Sequence, residues 1–360
     1  MASSSLYFIN WWCDAFVIGG LSIITWVCLG AFYGSGDLQP VVAVALVLRL
    51  FVNFPHFSAT VYRLYQTREH TRQFPVTAWG LPPVIIGAVG ACLWQPHVVA
   101  PYFVLLYLLW SPYHYSGQTV GITMVYARRA GFPIGRRERL ALSTFVFAAF
   151  VCGFIAIEQA GFPQFYGMSI PSVVVPAWMS PAAQAVMCTG ALVFAGFATA
   201  WCVRERRMLP PIVLLPGLAH FVWFVPGTGV KPFLLVIPFF HSLQYLLIAL
   251  AMQLKIRLDV AGAERSWRRI RTEAVRWSVR NIIGGVLLFL GIPALLSWLQ
   301  LPFLTVAGIV AAAVNIHHFF VDGVIWKLRD ASSSSALLMN VTELSRPSLV
   351  ELGPPTPARA

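Results

Sequence analysis

The chain has 360 residues, of which 58% are apolar and 11% are Asp, Glu, Lys or Arg, and its formal net charge is +12. A soluble domain carries about 25% charged residues, so this chain has too few to cover a water-facing surface. Its apolar residues fall in runs near 20 long, which a hydrocarbon core of about 30 Å demands of a helix. It lacks the alternating segments of about ten residues that a membrane β-barrel would show.

These features predict an all-α, polytopic membrane bundle whose backbone polar groups are satisfied inside each segment. In chain order the expected spans are Trp11–Phe32, Pro40–Tyr62, Ala78–Trp94, Val98–Tyr126, Leu140–Glu158, Ala183–Val203, Pro211–Val225, Pro232–Leu254, Asn281–Leu299 and Pro302–Trp326. The first is read as a retained helix, because no basic segment or clear cleavage site accompanies it. The third and seventh are short. Residues 1–330 form a single membrane domain on this reading.

The loops give the orientation. All of the 25 basic residues except Arg49 and Lys231 follow the second, fourth, sixth, eighth or tenth span. Positive loops stay inside. The expectation is therefore ten spans with both termini cytoplasmic, in a bacterial-type inner (plasma) membrane. The positive charge is a topology signal, and nucleic acid is excluded as a partner; membrane lipid is the expected one. Residues 262–280 carry Trp267, Ile270, Ala274 and Trp277 at helical spacing among arginines, which predicts an amphipathic helix on the cytoplasmic leaflet. The Ser- and Pro-rich stretch 331–360 predicts a disordered tail. The six cysteines stand singly in apolar segments and suggest no disulfide framework.

Polar residues inside spans are costly and mark function. The second span carries Arg49, Asn53, His56, Thr60 and Arg63 on one helical face. The fourth carries His114 and Gln118, the eighth His241, Gln244 and Tyr245, and the tenth Asn315, His317, His318 and Asp322. His220 stands alone in the seventh and is expected to make an interhelical hydrogen bond. Proline shortly precedes His56, His114 and His241, and a serine follows each. Four polar faces in lipid are best satisfied by one another. The candidate metal ligands are therefore His56, His114, His241, His317, His318 and Asp322. Asp322, Tyr245 and Gln118 are candidate catalytic groups, with Asn53, Arg49, Asn315 and Gln244 supporting them. Arg49 could pair with Asp322 or Asp14.

At the level of residue type and depth, this cluster is similar to the membrane non-haem di-iron hydroxylases and desaturases, although the chain has neither HxxxH nor HxxHH. His241 and Tyr245 have the H-x-x-x-Y spacing of haem–copper oxidases, which the chain also resembles in its vicinal His317-His318 pair, but no HxH accompanies them. Imidazoles with one carboxylate suit iron, copper or zinc. The expected function is a metal-dependent oxidoreductase, with iron as the leading metal, a lipid-soluble substrate, and a protein or quinone as electron donor. A proton-coupled transporter using the same residues as a relay, and a bis-histidine haem carrier, are the alternatives.

Overall fold

The computed structural model describes residues 6–32, 39–161, 164–258, 266–325 and 340–345. Within them the chain is an all-α bundle. Its main helices are α1 (Trp11–Phe32), α2 (Gln39–Tyr65), α3 (Val76–Trp94), α4 (Ala100–Ala130), α5 (Arg136–Ala160), α6 (Met179–Glu205), α7 (Leu215–Phe224), α8 (Lys231–Leu258), α9 (Trp267–Leu299) and α10 (Phe303–Ile325).

Among the described residues, eight are long and apolar enough to cross a membrane; α4 and α7 are the two that do not qualify. Helix α4 has 31 residues, ample length, but its interior carries His114, Ser116, Gln118, Thr119 and Thr123. Helix α7 has only ten residues. A 3-10 turn at Pro211–Val213 precedes it and another at Pro226–Gly229 follows. Seven of its ten residues are buried, and exposure is concentrated at its start, where Leu218 is 50% exposed.

Among the described residues, helices α1, α2, α3 and α9 each contain a π-turn, at Phe16–Gly20, Arg49–Asn53, Val76–Gly80 and Leu287–Gly291. In the last three a proline follows two residues later: Pro55, Pro82 and Pro293. Proline lacks the N–H that would continue the ladder, and the helix absorbs the mismatch as one wider turn. In α2 this turn ends just before His56 and sets where that side chain points.

Glycines permit the closest helix contacts. A Cβ on Gly190 of α6 would lie 2.5 Å from the Phe145 backbone of α5, and one on Gly285 of α9 would lie 2.5 Å from Phe54 of α2. Small residues let membrane helices approach to backbone contact. The second of these contacts packs α9 directly against the helix that carries His56.

The amphipathic stretch expected as a separate interfacial element is instead the first part of α9. Ser266 caps it, accepting from the Arg269 N–H, and the helix runs on into the apolar span. Its stripe faces protein as well: Ile270 joins the largest core cluster, and Trp277 packs with Ala59, Tyr245 and Ala249. Helix propagation adds a hydrogen bond per residue once a turn exists, and the sequence from Trp267 to Val286 has no proline to stop it. Residues 262–265 lie outside the described residues.

Part of the stretch expected to be disordered is also ordered. Val341–Ser345 form a 3-10 turn. Asn340 Nδ2 donates to the Tyr7 carbonyl at 2.8 Å, the Val341 N–H donates to Phe8 O at 2.8 Å, and Val341 and Leu344 are buried in the core cluster. These apolar side chains gain a protein surface that composition alone does not reveal. Residues 331–339 and 346–360, like Trp326, lie outside the described residues.

One face of the bundle gathers the chain ends that the loop charges group together. Arg207 reaches the Ala130 carbonyl, joining the ends of α6 and α4. Arg257 and Arg280 both donate to the Tyr62 hydroxyl, joining α8 and α9 to the end of α2. The N-terminal residues and the 340–345 turn meet on the end of α4. Helices α2, α4 and α8 therefore run in the same direction, toward this basic face. A cysteine placed at Arg137 is expected to react with a membrane-impermeant thiol reagent only from the cytoplasmic side, and one at Gly229 only from the opposite side. Labelling of the Arg137 position from outside would contradict the orientation.

Candidate metal centre

Four helices each present a histidine and, one turn later, a polar partner: His56 and Thr60 on α2, His114 and Gln118 on α4, His241 and Tyr245 on α8, His318 and Asp322 on α10. The (i, i+4) spacing puts each pair on one helical face. The four histidines come together, each offering a nitrogen within 4.8 Å of the other three. His56, His241 and His318 are buried, and the His114 side chain is about as enclosed, 10% exposed.

The centre of the group is His318 Nε2. It lies 2.9 Å from His56 Nε2, 3.1 Å from His114 Nε2 and 3.3 Å from Asp322 Oδ2. Asp322 Oδ2 is also 3.7 Å from His114 Nε2. The fourth imidazole, His241, lies with its ring centroid 5.1 Å from those of both His56 and His114, and Tyr115 stacks on it at 4.0 Å.

The hydrogen bonds around Thr60 favour Nδ1 as the His318 nitrogen that carries the proton. Thr60 Oγ1 meets Asp322 Oδ1 at 3.2 Å, Tyr245 Oη at 2.6 Å, His318 Nδ1 at 2.9 Å and, more distantly, the His56 carbonyl at 3.4 Å. A threonine hydroxyl has one hydrogen and two lone pairs, and an ionised carboxylate only accepts. Thr60 therefore donates to Asp322, and both Tyr245 Oη–H and His318 Nδ1–H donate to Thr60. Every valence of the hydroxyl is then used. In that arrangement His318 Nε2 is a bare lone pair.

That lone pair faces a carboxylate oxygen and two further imidazole nitrogens. It can accept one N–H, from His56 or from His114, but not both, and Asp322 Oδ2 has nothing to donate. A cation among these atoms turns each repulsive contact into an attractive one. Four tetrahedral nitrogens at about 2.0–2.1 Å from an ion would be about 3.3 Å apart, close to the His318 separations of 2.9 and 3.1 Å and inside the 4.8 Å that bounds all four. The Nδ1 atoms of His56 and His241 are buried without a hydrogen-bond partner among the described residues.

Other expected site residues lie outside this group. His317, rotated about 100° from His318 around α10, is half-buried and is not one of the four. Asn315 Nδ2 donates to the Ala311 carbonyl of its own helix. Arg49 and Asn53 occupy the π-turn of α2, with Arg49 in electrostatic range of Tyr107 and Tyr115. Asp14 does not pair with Arg49: it accepts from the Phe8 and Ile9 N–H groups and from Tyr126 Oη. Gln118 and Gln244 support α8, since Gln118 Nε2 reaches the His241 carbonyl at 3.0 Å and Gln244 Oε1 at 3.2 Å. Gln244 in turn reaches the Ile18 carbonyl of α1. His220 makes the expected interhelical contacts, with Ser116 and Thr119 of α4 and the Val146 carbonyl of α5.

Two participants escaped prediction. Thr60 sat on the recognised polar stripe, and its place one turn after His56 was the available signal. Tyr115 had none, being one aromatic among many.

A cavity of about 680 Å³ opens beside the cluster, reaching His114, Tyr245 and Asp322. The chain matches no protein-family model, no curated protein and no solved structure, so chemistry is argued from these residues alone.

Proposed function

We propose that this chain is a membrane-embedded, metal-dependent oxidoreductase, with non-haem iron held by His56, His114, His241 and His318, acting on a lipid-soluble substrate. The observation that carries the reading is the convergence of four imidazole nitrogens within 4.8 Å of one another, with Asp322 Oδ2 3.3 Å from His318 Nε2, in a buried site. Neutral nitrogen donors with one carboxylate suit iron, copper or zinc and disfavour magnesium or calcium, which take oxygen ligands. A redox ion supplies electron-transfer and oxygen chemistry that side chains lack. An oxygenase-type reaction would draw dioxygen from the bilayer and electrons from a partner protein or quinone.

The protein's own groups have separate tasks. Asp322 balances the ion's charge and, through Thr60, orients His318. Tyr245, next to the cavity and bonded to Thr60, can hold a proton at its hydroxyl oxygen for the reacting group. Gln118 and Gln244 fix the backbone from which His241 projects.

The Thr60-centred hydrogen bonds also favour a second reading, a proton relay through His318, Thr60, Asp322 and Tyr245 in a transporter. The spacing weighs against bis-histidine haem: imidazole nitrogens about 3 Å apart leave no room for a macrocycle whose two axial nitrogens stand about 4 Å apart, twice a metal–nitrogen bond.

Elemental analysis, an optical spectrum and dioxygen uptake on the detergent-purified protein test the proposal together. Stoichiometric iron with donor-dependent dioxygen uptake is the expected result. Zinc in place of iron would redirect the reading to hydrolysis, and absence of any stoichiometric metal would leave the relay. Thr60→Val keeps the side chain's shape and removes the hydroxyl; metal affinity is expected to fall about 10–100-fold, as when groups that orient a metal ligand are lost. Unchanged affinity in metal titrations would contradict the assigned role of Thr60.

A further inference from the structure

The cavity beside the cluster has a direction. Its wall includes His114 and, farther along α4, Gly117, Gly121 and Val125. Eleven residues of α-helix from His114 to Val125 span about 16 Å. Because α4 ends at the basic face, the passage leads from the histidine cluster toward that face. Arg139, in the first turns of α5 at the same face, also lines it.

Two glycines keep the passage open. A Cβ built on Gly117 or on Gly121 would meet nothing within 4 Å. Glycine in a helix is destabilising relative to alanine, by about 1 kcal/mol, and neither position needs the glycine for close packing or for a positive φ. What their missing side chains provide is space. The two are one turn apart and both face the cavity.

The charges along the passage are unequal. At the inner end stand Asp322 and His114. Arg139 is the one basic residue in the lining apart from histidine, and its guanidinium makes no hydrogen bond or ion pair among the described residues. Between these ends lie apolar groups such as Phe147, Ile122 and Phe319.

We infer that the substrate is an amphipathic lipid with an anionic head: Arg139 holds a carboxylate or phosphate at the mouth while the apolar chain extends past Gly121 and Gly117 toward His114. An arginine guanidinium offers up to five N–H donors in a fork that matches either oxyanion. The inference rests on the proposed function for what happens at the inner end, but not for binding.

Binding of radiolabelled palmitate, palmitoyl lysophosphatidate and neutral hexadecanol to the detergent-purified full chain tests it. The two anions are expected to bind more tightly than hexadecanol, and whichever anion binds more tightly identifies the head group. Arg139→Gln should weaken the preferred anion about tenfold, the scale of one charge-assisted hydrogen-bonded contact, and leave hexadecanol unchanged. Gly121→Leu, whose side chain enters open space, should weaken all three ligands. Metal content is measured alongside, and Arg139→Gln and Gly121→Leu should keep the metal of the unaltered chain, so loss of the metal and loss of the ligand are read separately. Equal affinity for palmitate and hexadecanol, insensitive to Arg139→Gln, would overturn the inference and point to a neutral substrate. Binding unaffected by Gly121→Leu would also overturn it, because the passage would not be where the chain lies.

Discussion

Replacing His318 by alanine is expected to abolish stoichiometric metal binding while leaving a membrane-inserted protein. His318 Nε2 is the one atom in contact with His56, His114 and Asp322 together, at 2.9, 3.1 and 3.3 Å. Removing a residue that merely orients a metal ligand costs about 10–100-fold in affinity. Removing the central ligand should exceed that, a loss above roughly 100-fold by the same measure. The variant also frees Thr60 from His318 and leaves the Asp322 carboxylate in a buried site with less compensation, so some destabilisation is expected. His318→Gln, which keeps polar bulk at the position, guards against misreading a folding defect as a binding one. Both variants should lack metal, and retention of full stoichiometry in either, measured per folded chain, would remove His318 from the ligand set.

The second large effect concerns stability. Asp14 is fully buried. Its carboxylate accepts from the Phe8 N–H at 2.6 Å, the Ile9 N–H at 3.0 Å and Tyr126 Oη at 2.8 Å. These bonds tie Phe8 and Ile9, in the bend before α1, to the end of α4. The same residues receive Asn340 and Val341, and the Arg129 guanidinium stands 4.0 Å over the Phe8 ring. Asp14→Ala leaves three donors without their acceptor in a closed environment. Buried charged hydrogen-bond networks broken from one side typically cost about 3–5 kcal/mol. The thermal midpoint in detergent should fall by several degrees, with a smaller fall for Asp14→Asn, which keeps one acceptor oxygen. An unchanged midpoint for Asp14→Ala would show that the N-terminal segment contributes nothing to the bundle.

Much of this was legible in the chain itself, for identifiable reasons. Hydrocarbon thickness sets span length, so the apolar runs marked the helices within a few residues, except that α9 begins at Trp267 and not at Asn281. The four-residue steps from His56 to Thr60 and from His318 to Asp322 put those groups on shared faces, and polar faces in lipid have few partners other than one another. The choice between His317 and His318 depends on how α10 is rotated in the bundle, which neighbouring residues cannot express. The continuity of α9 was hidden because a basic amphipathic stretch reads the same whether its apolar stripe meets lipid or, as Ile270 and Trp277 do, protein. The order at residues 340–345 depends on partners more than 300 residues away in sequence, Tyr7 and Phe8. The cavity depends on what does not fill it, and Gly117 and Gly121 gained meaning only once their surroundings were placed.

X-ray absorption at the edge of the bound metal, on protein purified without added metal, tests the central claim most directly. A nearest shell of nitrogen and oxygen at about 2.0–2.2 Å, with the outer-shell scattering of several imidazole rings, is the predicted result, and it should be lost in His318→Ala. A sulfur shell would place the metal at a cysteine, since none of the six is disulfide-bonded. That result, or a first shell without imidazole scattering, would contradict the assignment of His56, His114, His241 and His318 as the ligands.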